Sequence, residues 1–195
     1  MFLKFKKEEI FTIPNILSFI RLLLIPVIVI SYVVYDYYLL AAILIVVSGI
    51  TDIVDGKIAR KYNLVSDFGK MLDPVADKLT QAAVLLCLVS RYDYMLYLFA
   101  IMAVKELFMG ITGLVRIKMT GKVHGADWHG KLTTVLLYAT MVLHVLWIEI
   151  PLIVSQILVA VCACVMILSM TLYGISNITS AKKGAIKQKL KVKVE

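Results

Sequence analysis

Asp52, Asp55, Gly56, Ala59 and Arg60, followed by Gly69, Asp73 and Asp77, recur at helical spacing within 26 residues of this chain. At about 100° per residue the first five share one side of a helix over two turns, and the last three repeat every fourth residue along a second. Four carboxylates at close range repel one another unless cations lie between them. An all-oxygen donor set suits hard divalent ions such as Mg²⁺ or Mn²⁺, and two ions can bridge such a group and handle phosphates. Gly56, Ala59 and Gly69 let the two helices approach closely and leave room for a bulky polar ligand. Arg60, one turn beyond Gly56, can hold a phosphate oxygen with its planar fork. The plainer alternative is an ion-pair network with Lys57, Arg60, Lys61 and Lys78, which needs neither glycines nor fixed spacing.

The elements that carry these residues are membrane helices. The chain is 61% hydrophobic over 195 residues, with a mean hydropathy of +0.90, well above the roughly 45–50% apolar usage of soluble domains. Six segments reach the length of about 20 apolar residues that a span needs, roughly 15–34, 38–60, 70–90, 94–118, 131–149 and 151–175. Ionised groups at membrane depth are costly, so a cluster of four acids there is expected to be a working site. The expected fold is an all-α integral membrane protein: an interfacial amphipathic helix over residues 1–12, one six-helix membrane domain over 13–178, and a basic tail over 179–195.

The net charge is +8, and its distribution orients the chain. Lys4, Lys6 and Lys7 precede the first span, Lys57, Arg60, Lys61, Lys70 and Lys78 flank the second connection, and Arg116, Lys118, Lys122 and Lys131 surround the fourth. Six lysines between Lys182 and Lys193 close the chain. The opposite connections offer only Arg91. Positive residues stay on the cytoplasmic side, so both termini and the carboxylate motif are expected there, in the cell membrane, touching anionic headgroups. No aromatic-interleaved basic surface stands outside the membrane, which argues against nucleic acid as a partner. The charged first residues lack the apolar run and cleavage site of a secretory signal.

Other residues are read more plainly. Asn15 is a candidate N-cap after Pro14, and Ser66 or Asp67 a candidate cap of the third helix. Arg21 reads as a side chain snorkelling to the interface, or else as one pointing into the site toward phosphate. Cys87, Cys162 and Cys164 read as buried packing thiols, and His144 as a hydrogen-bonded helix residue. His124, Asp127 and His129 form a weak metal pattern in a glycine-punctuated loop and read better as cytoplasmic loop contacts or acceptor-pocket lining.

The motif D-x2-D-G-x2-A-R-x8-G-x3-D-x3-D resembles the signature of the CDP-alcohol phosphotransferases at every fixed position. That resemblance implies six helices with the motif on the second and third. It also implies transfer of a phosphatidyl group from CDP-diacylglycerol to an alcohol, with release of CMP. By the same resemblance Asp52, Asp55, Asp73 and Asp77 hold two Mg²⁺ or Mn²⁺ ions, Asp77 takes the proton of the acceptor hydroxyl, and Asp52, Gly56, Ala59, Arg60 and Gly69 line the CDP site. A homodimer is expected on the same ground. A divalent-cation transporter is the contrasting class, disfavoured because the outer halves of helices two and three carry no polar relay.

The segment Asp73-Pro74-Val75-Ala76-Asp77-Lys78 and the opening Ile13-Pro14-Asn15-Ile16-Leu17-Ser18-Phe19-Ile20-Arg21 look like those of the family's phosphatidylglycerophosphate and cardiolipin synthases. Glycerol 3-phosphate is thus the expected acceptor and phosphatidylglycerol the alternative. Lys105, Arg116 and Lys131 are the candidate ligands of an acceptor phosphate. They stand where the resemblance departs from the pattern, with Lys105 for an arginine, Arg116 displaced, and Thr133 for a second lysine.

Overall fold

The structure is a computed structural model that describes residues 12–62, 66–120 and 128–192, without the side chains of Arg60, Asp67 and Lys70 or those beyond Lys182. Among the described residues there are six helices and no strand: α1 Ile13–Val33, α2 Tyr38–Lys61, α3 Asp67–Val89, α4 Met95–Thr120, α5 Trp128–Leu146 and α6 Leu152–Val192. Four of them, α1, α2, α4 and α6, are long and apolar enough to cross a membrane by length and composition. The expected helix over residues 1–12 and the loop residues His124 and Asp127 lie outside the described residues.

Local sequence explains the helix ends. Pro14 occupies the first turn of α1, where its missing N–H costs nothing, and Thr12 takes the N-cap position. Asn15 is therefore not a cap: it lies within α1, 1% exposed. Asp36 turns the chain between α1 and α2 at φ 54°, a left-handed conformation that aspartate tolerates better than most residues, and its carboxylate accepts from Tyr38 at 2.7 Å. Ser66 caps α3 as expected, accepting from the Gly69 N–H at 2.9 Å. The final helix does not stop near residue 175 but continues to Val192.

Several polar side chains lie among the buried apolar ones, and many large apolar side chains face outward. Ser18, Arg21, Ser48, Thr80 and Ser155 are fully buried, whereas Leu23, Leu107, Tyr97 and Ile153 are about two-thirds exposed or more. In lipid, apolar side chains gain nothing by turning inward, so close packing and polar contacts hold the helices together. Cys87 and Cys162 are buried, but Cys164 is exposed on α6, turned outward where a thiol packs as well as any small apolar group. His144 is buried with Nδ1 2.7 Å from the Thr140 carbonyl.

Two compact units divide the chain: Met1–Leu96 with Tyr138–Ile150, and Tyr97–Leu137 with Pro151–Glu195. In the first, α1 packs along both α2 and α3, while α2 and α3 touch each other at few points. The spacing of the motif lets the acid-bearing sides of α2 and α3 face each other, and in the structure α1 packs against both helices where they stand apart. Gly69 shows why: a Cβ there would run into Oδ1 of Asn15 and come within 3.1 Å of Ser66 Oγ, so the glycine admits α1.

Candidate active site

Asn15, Ser18 and Arg21 repeat at intervals of three along α1, which puts them on one side of the helix. Each meets a different part of the motif. Asn15 Nδ2 donates to Ser66 Oγ at 3.1 Å, at the cap of α3. Ser18 Oγ donates to Asp73 Oδ1 at 2.5 Å. Arg21 pairs with both acids of α2, through Nη1 to Asp52 Oδ1 at 2.7 Å and through Nη2 to Asp55 Oδ2. The Arg21 side chain is fully buried, so it does not snorkel to the interface. The paired carboxylates offer a cation at this depth a stronger partner than an interface one and a half turns away.

Asp77 is held from three sides. Gln81, one turn along α3, donates through Nε2 to both carboxylate oxygens at 3.1 and 3.0 Å. Tyr138 on α5 donates to Oδ1 at 3.0 Å, and Lys78 Nζ stands 3.3 Å from Oδ2. The Tyr138 ring reaches this position over Gly49 of α2, lying 3.5 Å from where a Cβ would be. Asp52 lies in the electrostatic field of Asp73 and Asp77, and Asp55 in that of Asp52 and Asp73. The four acids thus form one electrostatic cluster. Asp55 is 2% exposed in its side chain and Asp52 36%, so the cluster opens on the Asp52 side. Gly56 and Ala59 are half-buried on α2.

Sequence reasoning alone leaves Gln81 and Tyr138 unassigned. Gln81 carried a readable signal, one turn after an acid on the same helix face. Tyr138 carried none, since only tertiary packing brings it to α3.

The other expected residues belong to the second unit. Lys105 is 4% exposed and pairs with Glu106 at 2.8 Å. Arg116 is 8% exposed, and Nη1 donates to Oδ1 of Asn177 on α6 at 2.9 Å. Asn177 in turn donates to Thr112 Oγ1 at 3.1 Å. Lys131 is exposed near the start of α5. His129 contacts Ser169 Oγ at 3.1 Å and meets the Tyr173 ring edge-on, with centroids 4.4 Å apart.

A family model described as CDP-alcohol phosphatidyltransferase matches residues 11–175, taking in all four carboxylates and the α1 residues that bind them. The chain belongs to this family. It is accordingly a multi-pass membrane protein. It is similar to the CDP-diacylglycerol–glycerol-3-phosphate 3-phosphatidyltransferase of Rickettsia bellii, 47% identical over 42% of this chain and 46% of that protein. The enzyme of the same name from Bacillus subtilis is 37% identical over 64% of this chain and 71% of its own length. A Schizosaccharomyces pombe fusion of cardiolipin synthase (CMP-forming) with a mitochondrial hydrolase is 48% identical over 44% of this chain and 14% of the fusion. The chain thus spans about half the length, or less, of several of these relatives.

Members of the family generally depend on divalent metal. The chemistry of the donor set here fits such ions, with four carboxylates, hard oxygen donors throughout and no thiolate among them. Among the described residues no three His, Cys, Asp or Glu side chains converge on one point. Protein donors occupy the oxygens instead: Arg21 on Asp52 and Asp55, Ser18 on Asp73, and Gln81, Tyr138 and Lys78 on Asp77.

Proposed function

We propose that this chain transfers a phosphatidyl group from CDP-diacylglycerol to the hydroxyl of glycerol 3-phosphate and releases CMP. The observation that carries the reading is that α1 ties acids of both motif helices, Arg21 pairing with Asp52 and Asp55 of α2 and Ser18 donating to Asp73 of α3. Family membership and the names of the Rickettsia and Bacillus relatives support both donor and acceptor.

In this reading Asp52, Asp55, Asp73 and Asp77 hold two divalent ions, which would neutralise the diphosphate oxygens and the charge that builds on departing CMP. Gly56, Ala59, Arg60 and Gly69 border the CDP group, with Arg60 as a forked donor to phosphate. Asp77 accepts the proton of the acceptor hydroxyl while the hydroxyl oxygen bonds to the phosphorus that carries diacylglycerol. The bond from that phosphorus to the CMP oxygen breaks, and CMP leaves with the electron pair. Gln81 and Tyr138 keep the Asp77 carboxylate oriented throughout.

Arg116 supports a phosphorylated acceptor. It is a buried cation whose hydrogen-bond partner among the described residues, Asn177, is neutral, so a phosphate would offer it a counter-charge. Lys105 and Lys131 are assigned to the same acceptor phosphate. Phosphatidylglycerol as acceptor, giving cardiolipin, is the second reading and is favoured by the similarity to the Schizosaccharomyces fusion. The lysine and arginine distribution supports a cytoplasmic site and cytoplasmic termini, and the family supports a homodimer.

Radiolabelled glycerol 3-phosphate, tested beside phosphatidylglycerol, serine and inositol phosphate with CDP-diacylglycerol and Mn²⁺, decides the acceptor. CMP release that depends on glycerol 3-phosphate is expected, and release independent of any acceptor would refute transfer. Asp77→Asn is expected to abolish turnover in folded protein.

A further inference from the structure

Arg21 is not needed for any step of the transfer above, yet it is the most deeply embedded charge in the site. Its side chain has no exposure, two of its N–H groups are committed to Asp52 and Asp55, and its Nε has no hydrogen-bond partner among the described residues. Guanidinium does not lose its proton in proteins. Arg21 therefore always needs an anion, and in this arrangement its anions are two of the acids assigned to metal.

Among the described side chains, four carboxylates face two cations, Arg21 and Lys78, so negative charge is in excess. Divalent ions held by Asp52 and Asp55 would supply the neutralisation that Arg21 gives those acids in its ion pairs. Arg21 would then be a buried cation in need of another anion. The other anion that the proposed reaction brings to the cluster is the diphosphate of the nucleotide.

We propose that Arg21 is an exchangeable counter-ion: it pairs with Asp52 and Asp55 and, were divalent ions held by those acids, would stabilise the nucleotide diphosphate instead. This deepens the transferase reading and rests on it. Arg21 acts here as a positioning and coupling residue. It opposes metal binding in the absence of nucleotide and favours it in its presence, and because linkage is reciprocal, metal strengthens nucleotide binding by the same factor.

The test is binding, measured on the full chain in detergent with Mn²⁺ and CDP as probes, for wild type, Arg21→Gln and Arg21→Lys. Without CDP, Arg21→Gln is expected to bind Mn²⁺ about tenfold more tightly than wild type. The factor by which CDP tightens Mn²⁺ binding is expected to fall about tenfold in the same variant, and Arg21→Lys to lie between. Weaker Mn²⁺ binding by Arg21→Gln, or an unchanged CDP factor, overturns the proposal. If metal-free Arg21→Gln does not hold its fold, saturating Mn²⁺ is expected to restore cooperative unfolding, and a variant that stays unfolded in Mn²⁺ overturns it too. Wild-type protein that binds Mn²⁺ and CDP independently of each other refutes the exchange and leaves transfer standing. Protein that releases no CMP with any acceptor refutes transfer instead.

Discussion

Ser18 on α1 donates to Asp73 on α3 across 2.5 Å, although 55 residues separate them in the chain. This bond and the Arg21 pairs make α1 part of the carboxylate cluster on α2 and α3. A helix that carries no residue of the motif thus sets where the motif's acids stand.

Removing the Ser18 hydroxyl tests that dependence. Ser18→Ala should lower stability by about 1 kcal/mol, the net worth of a typical hydrogen bond, and should slow CMP release because Asp73 is no longer tethered. Thermal unfolding and turnover measured on one preparation check both. Turnover equal to wild type would show that Asp73 does not need α1.

Gly69 admits Asn15 with no room to spare. Gly69→Ala should destabilise the protein by roughly 1–3 kcal/mol through overpacking. Combining it with Asn15→Ala should recover part of that loss, since the added methyl then meets a shorter side chain. A double-mutant cycle by thermal denaturation gives the coupling, and additive losses would place the strain elsewhere.

Tyr138 reaches Asp77 from α5 through its hydroxyl alone, while its ring rests over Gly49. Tyr138→Phe keeps the ring and removes the donor. It should lower kcat about tenfold, corresponding to about 1.4 kcal/mol of transition-state stabilisation, with little change in the KM for CDP-diacylglycerol. A change confined to KM would instead tie Tyr138 to substrate binding.

Asn177 is the hydrogen-bond partner of the buried Arg116 and passes that contact to Thr112. Asn177→Leu should raise the KM for glycerol 3-phosphate about tenfold and leave that for CDP-diacylglycerol unchanged, because it frees Arg116, the cation proposed to hold the acceptor, from its fixed orientation without touching the carboxylates. Steady-state kinetics with each substrate varied in turn checks this. Equal effects on both substrates would remove Arg116 from the acceptor site.

The motif, its membrane setting and the Ser66 cap could all be read along the chain, because hydropathy, charge spacing and capping are local properties carried by neighbouring residues. Helical periodicity alone put Asp52 with Asp55 and Asp73 with Asp77. Linear order does not encode which helices become neighbours. The burial of Arg21, the seating of α1 against Gly69 and the arrival of Tyr138 at Asp77 were decided by three-dimensional packing. In lipid, apolar surfaces do not discriminate among partners, so a few hydrogen bonds, ion pairs and missing side chains select the arrangement.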